Sequence, residues 1–258
     1  MVGCRSVTAL SELHRPDVYP RSSHYDPAWV VGLDMGPHPL WLLEDLSRDL
    51  DLKPGMRVLD LGSGMGATSV FLAREFGVEV VAADLWVAAG TAAAVFTEAG
   101  VADRVQAVNA EAHALPFEKE SFDAIVSIDA YEYFGTADGY LAYITSFLKP
   151  GGQLGIATPG MTAEVRDLGA IPPHIKALVG WEALAWHTAE WWRFQWEITE
   201  LVTVTSARLQ PGGWNDWLLW ARACMEHRPG DAAGQTVAML EADQGAFLSF
   251  AMVSARRT

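Results

Sequence analysis

The stretch from Arg57 to Asp84, RVLDLGSGMGATSVFLAREFGVEVVAAD, restricts the chain to a narrow set of folds. Val58, Leu59 and Leu61 form a short apolar run that ends at Gly62, and Gly62, Gly64 and Gly66 follow at alternate positions. From Ala67 to Phe76 apolar residues recur at helical spacing (Val70, Phe71, Ala73, Phe76), and Gly77 is placed to stop that helix. Val78 to Ala83 reads as a second buried strand, closed by Asp84. A strand–helix–strand unit of this length requires two parallel strands joined by a right-handed crossover. The glycines let the backbone turn sharply and approach a ligand closely. An acid at the end of the second strand is suited to accept hydrogen bonds from the two hydroxyls of a ribose.

The spacing narrows the nucleoside. Dinucleotide sites use G-x-G-x-x-G, with a helix N-terminus facing a pyrophosphate. Here the turn is Gly62-Ser63-Gly64-Met65-Gly66, a G-x-G-x-G, and Asp60 lies two residues before its first glycine. A carboxylate there repels a pyrophosphate and suits a ligand with an ammonium group. The run VLDLGSGMG resembles the first motif of the class I S-adenosylmethionine-dependent methyltransferases, and the resemblance extends with falling specificity from about Leu52 to Pro159.

That resemblance implies an α/β fold: a Rossmann-like, seven-stranded, mostly parallel sheet with an antiparallel last strand and helices on both faces. It implies S-adenosyl-L-methionine as cofactor and S-adenosyl-L-homocysteine as product. Carried over residue by residue, the cofactor site comprises Asp60, Gly62, Ser63, Gly64, Gly66 and Asp84, then Leu85 and Trp86 against the adenine. Simple core is the other reading of Trp86. In Glu111-Ala112-His113-Ala114-Leu115-Pro116-Phe117, Glu111 faces the adenine amino group and Ala112 offers its backbone N–H to the ring. Ser127 and Asp129 complete the set, because the end of the fourth strand lies opposite the glycine turn, where open parallel sheets place their ligands. Relatives often read D-x-x-E-H here. This chain reads Asp129-Ala130-Tyr131-Glu132-Tyr133, so Tyr133 replaces the histidine available as a base.

Outside the motif region the chain is more individual. Residues 1–50 read as an N-terminal arm with lid helices, irregular to about residue 24, and residues 51–258 as the methyltransferase domain. Helical substrate-side segments are expected at about 160–200 and 211–245, a tryptophan-rich insertion. Eight of the eleven tryptophans lie beyond residue 180. Trp192 with Trp196, and Trp217 with Trp220, recur at helical spacing, which suits a buried face. The sharper reading is an aromatic-walled acceptor pocket, with His24, Tyr25, Tyr131, Trp186 and Trp191 as substrate-binding candidates. Candidate bases are Tyr133, Glu132, His38 and His187.

Composition limits the partners. A net charge of −14 without a basic cluster argues against nucleic acid, and no stretch approaches the roughly 20 apolar residues of a membrane span. Two cysteines, Cys4 and Cys224, give neither a disulfide framework nor a zinc site, and fit a reducing cytoplasm. Asp129 alone does not make a metal site. The expected function is methyl transfer to an O, N or C nucleophile of a small molecule. The alternative is a protein of the same fold that binds S-adenosylmethionine but performs another reaction, such as a cyclisation, or serves as a binding partner.

Overall fold

The computed structural model describes residues 10–228 and 230–258; Cys4 lies outside them. The strand–helix–strand unit is β1 (Arg57–Leu61), α3 (Ala67–Phe76) and β2 (Glu79–Asp84), preceded by α1 (Pro27–Gly32) and α2 (Pro39–Ser47). β1 pairs in parallel with β2 through Val58↔Val80 and Leu59↔Val81. Its other edge pairs with β4 (Phe122–Ile128) through Val58↔Ala124. β3 (Val105–Asn109) flanks β2, and α4 (Ala89–Glu98) connects the two. With a strand on each side and helices on each face, β1 is buried, hence its apolar sequence. The full order is β3-β2-β1-β4-β5-β7-β6.

Alternation along the central strands divides the interior into two cores. Val58 faces a core built with Leu40 and Leu43 of α2 and Val70 and Phe71 of α3. Leu59, Leu61 and Ile125 face another, built with Ile144 of α5 (Tyr140–Thr145). Trp192 and Trp196 of α8 (Ala189–Glu197) join this second core, and Trp217 and Trp220 of α9 (Gly213–His227) join the first. Packing is therefore the right account of those four tryptophans. α6 (Val165–Leu168), α7 (Pro173–Val179) and a 3-10 turn (Gly180–Ala185) precede α8, and α10 (Asp231–Asp243) follows α9.

Two segments differ from what their sequence alone suggests. Leu148-Lys149-Pro150-Gly151-Gly152 reads in sequence as a helix stop and turn, but these residues begin β5 (Leu148–Met161). Gly151 takes a left-handed φ of 73°, and the pairing with β4 shifts register between Phe122 and Ala124. The turn is absorbed into the strand as an irregularity. The segment 10–24 is irregular but docked rather than loose. Leu13 and Tyr19 are buried, and Asp216 of α9 accepts hydrogen bonds from Arg15 and Tyr19. Tyr19 also accepts from Gln210. β6 (Val202–Leu209) and β7 (Leu248–Arg257) close the sheet, β7 running antiparallel between β5 and β6.

Candidate active site

The glycine turn leaves β1 with left-handed backbone at Gly62 (φ 76°), Gly64 (φ 53°) and Gly66 (φ 94°). A Cβ at Gly62 would lie 2.3 Å from that of Ala130, and one at Gly66 would lie 2.4 Å from the Phe96 ring. The turn is thus threaded between the end of β4 and α4, where only glycine fits. The Asp84 carboxylate fixes it: Oδ2 accepts the Gly64 N–H at 2.8 Å, and Oδ1 accepts the Trp86 and Val87 N–H groups at 2.8 Å each. Of its roughly four acceptor positions, these bonds leave one free on Oδ2.

Asp60 is fully buried. Its Oδ2 accepts from Thr68 and Ser69 at 2.7 and 2.6 Å, while Oδ1 has no partner. Burial pushes its pKa up to about 6, against those two hydroxyls and with help from Asp84. The buried Ser63 hydroxyl is also unpaired. Such groups are costly unless something satisfies them.

Over the turn opens a cavity of about 280 Å³. Gly62, Ser63, Gly64, Asp84, Leu85, Trp86, Glu111, Ala112, Asp129 and Tyr133 all line it. Asp60 and Gly66 stand behind the lining. Trp86 is 71% exposed and Tyr133 58%, their rings edge to face at 5.6 Å across the mouth, so Trp86 is not core. Glu111 receives a hydrogen bond from His113, which holds its carboxyl below the usual range. Ser127 is not in the lining; its hydroxyl donates to the Leu61 carbonyl and ties β4 to β1.

At the far end, Asp129 takes a left-handed φ of 53° and packs against Gly36, where a Cβ would fall 2.0 Å from Oδ2. Burial, then Glu132, then Asp34 raise its pKa well above its ordinary value. Glu132 is 3% exposed and accepts from the Thr158 hydroxyl at 2.5 Å. Burial lifts it to about 7, against the Thr158 bond. Desolvation, then Glu132 and Asp129, push the Tyr133 phenol above its ordinary value, which favours its neutral, hydrogen-bond-donating form.

The other candidates lie elsewhere. His38 caps α2, its Nδ1 accepting the Trp41 N–H, and stacks on Trp41 at 4.0 Å. Burial lowers its pKa to about 3, so it stays neutral with one nitrogen already used. His187 Nδ1 bonds Glu164 at 2.8 Å and its ring stacks on Trp191 at 3.5 Å, away from the cavity lining. Tyr25 bonds Glu75 and packs on Phe71 of α3, and His24 is exposed on a surface turn. Tyr131 is buried among Trp192, Trp196 and Tyr140, and Trp186 packs on Trp217. These five substrate-site candidates are packing or surface residues in this structure, Trp191 among them.

Sequence reasoning did not foresee that Leu33, Gly36 and Pro37 form the cavity roof beside Met35. Trp220 holds this loop by donating to the Gly36 carbonyl at 2.8 Å. Gly36-Pro37-His38-Pro39 was legible as a turn, but nothing local shows that it meets residues nearly 200 positions away.

A methyltransferase domain model, Methyltransf_25, matches residues 58–152. The demethylmenaquinone methyltransferase of Clavibacter sepedonicus is 33% identical over 173 residues, which span 64% of this chain and 68% of that protein. The chain belongs to the class I S-adenosylmethionine-dependent methyltransferases. Methyltransferase GfsG of Streptomyces halstedii is 33% identical over 144 residues, 54% of this chain and 48% of that protein. Several curated methyltransferases match over less, and the chain spans between 30% and 48% of the length of the first three. In fold, this methyltransferase superposes on a geranyl diphosphate methyltransferase solved with S-adenosylmethionine, with a TM-score of 0.70, 18% identity, and coverage of 99% of this chain and 91% of that one. Methyltransferases of this family use S-adenosylmethionine as methyl donor. The unpaired Asp60 oxygen, the glycine cradle and the spare Asp84 acceptor fit the ammonium, backbone approach and ribose that such a donor presents. Among the described residues no group of side chains is arranged to hold a metal, and no helix is long and apolar enough to cross a membrane.

Proposed function

We propose that the chain binds S-adenosylmethionine in the cavity over the glycine turn and methylates a small-molecule acceptor held at the end of β4. The observation that carries this reading is the cradle itself: a glycine turn pinned by Asp84, above a buried carboxylate oxygen of Asp60 that has no protein donor. In it, Asp60 faces the donor's ammonium, Asp84 takes a ribose hydroxyl, Leu85 and Trp86 cover the adenine, and Glu111 and Ala112 read its edge. When bound, S-adenosylmethionine supplies a methyl group already activated as a sulfonium substituent.

The protein's own tasks are then to hold, align and deprotonate the acceptor and to exclude water. Met35, Gly36 and Pro37 roof the cavity. Asp129 faces it, with Glu132 behind, and a carboxyl poised near neutrality is suited to accept a proton. His38, neutral and used as a cap, supports the roof instead of acting as base. Calorimetric titration of S-adenosylmethionine and S-adenosylhomocysteine into wild type and Asp84→Ala tests the reading. Tight binding that collapses in the variant is expected. Folded wild type that binds neither ligand overturns it. Formation of S-adenosylhomocysteine with an acceptor then separates methylation from a non-methylating use of the same fold.

A further inference from the structure

We infer that the acceptor is an amine that enters as its ammonium form and is held by Asp129 at the end of β4. This rests on the function proposed above and names the substrate class of the same cavity.

Charge is the first argument. No lysine or arginine of the described residues lines the cavity, whereas Asp84, Glu111 and Asp129 do. Asp34, Asp60 and Glu132 stand close behind, and burial outweighs their hydrogen bonds. Arg228, the cation beside Asp34, is turned to the carbonyls of Val31 and Asp34. S-adenosylmethionine brings only one net positive charge, fewer than the carboxyl groups in and behind the lining, whose ionised forms are held back by burial and mutual repulsion until a cation meets them. A phosphate or carboxylate on the acceptor would add a further anion in a poorly solvated place with no protein cation to meet it. An ammonium supplies the missing counter-charge.

Partnering is the second argument. Among the described residues no hydrogen bond reaches the Asp129 side chain, although it lines the cavity and is shielded by Gly36. A carboxylate left without donors in such a place is matched by a ligand that brings them, and an ammonium brings several. Beside it, the exposed ring of Tyr133 meets Trp86 at 5.6 Å, and an alkylammonium gains from aromatic faces at the same mouth.

The proton balance closes on the same groups. One N–H bond of the ammonium breaks, its electron pair stays on nitrogen as the lone pair needed for attack, and the proton passes to Asp129. Asp129 is the ionised partner of the bound ammonium, and burial, then repulsion from Glu132, favour its taking up the proton that the ammonium gives up.

The test uses three probes on one body: 2-phenylethylamine, 2-phenylethanol and 3-phenylpropionate. Each is titrated calorimetrically into full-length protein saturated with S-adenosylhomocysteine. The amine should bind at least tenfold more tightly than the alcohol, and the carboxylate should not bind. Asp129→Asn, which tolerates the left-handed backbone, should reduce amine affinity tenfold or more and leave the alcohol within about twofold. Glu132→Gln, a second variant of unchanged shape, should weaken the amine in the same direction. Equal or tighter binding of the alcohol or carboxylate, no detectable binding of the amine, or an amine affinity indifferent to Asp129→Asn would each overturn the inference. Failure to bind S-adenosylhomocysteine at all would instead sink the function proposed above.

Discussion

The two ends of the cavity are built on different principles. At the donor end, one continuous stretch, residues 57–84, supplies the turn, the buried acid and the pinning carboxylate, and backbone N–H groups make most of the bonds. At the acceptor end, the end of β4, the loop over residues 33–39 and α9 meet from distant parts of the chain, and side chains make the contacts. A local, backbone-built site tolerates little change and states its ligand in sequence. A non-local, side-chain-built site can be retuned one residue at a time, which suits the half that must differ between acceptors.

Breaking the donor end should have the largest effects. Gly62→Val forces a side chain into Ala130 at a left-handed backbone position, and should cost about 4 kcal/mol of stability, read as a lowered chemical-denaturation midpoint. Asp84→Ala removes the carboxylate that accepts three N–H groups and should weaken S-adenosylhomocysteine binding by about 100-fold or more, measured by calorimetry. If either is silent, the donor end is not the rigid half.

The acceptor end should respond more gently and in pH. Glu132 is raised above its unfolded value, to about 7, and at the donor end Asp60 is raised to about 6. Between the unfolded and folded pKa values the native state therefore holds the extra protons. The stability these two groups contribute is full below about pH 4 and is lost as pH rises toward 7. Glu132→Gln should flatten that fall by about 1–3 kcal/mol, seen in melting temperatures across pH. With proton acceptance by Asp129 coupled to the ionisation of Glu132 behind it, wild-type activity should rise through about pH 7, and the variant should lose that limb. Trp220→Phe deletes the bond to Gly36 and should cost about 1 kcal/mol, appearing as faster S-adenosylhomocysteine release in stopped flow. His187→Ala should leave S-adenosylhomocysteine affinity within about twofold, since the imidazole belongs to the Glu164–Trp191 packing; a large loss would place His187 in the site after all.

The same contrast explains what the sequence disclosed. The sheet, the glycine turn and Asp84 were legible because period, turn chemistry and spacing are local properties. The sense of Glu132 was legible only in part: its position at the end of β4 follows from the pattern, but its raised pKa comes from burial, against the bond from Thr158 of β5. His38 misled because a histidine before Pro39 reads equally as a base or a helix cap, and only the stacking on Trp41 decides. The tryptophans misled differently. Helical spacing identified Trp192 and Trp196 as core, whereas Trp186 and Trp191 have no local mark that separates a pocket wall from packing.

The placement of β7 has a consequence in time. Residues 248–257 are inserted between β5 and β6, so the sheet cannot be completed until they have left the ribosome. The contacts of Arg15 and Tyr19 with Asp216 likewise wait for α9. The nascent chain can assemble β1 to β4 early, while the roof over residues 33–39 lacks its Trp220 anchor. The residues of the donor cradle are thus synthesised well before those that anchor its cover, and the contacts of longest sequence separation are the ones that close the acceptor end.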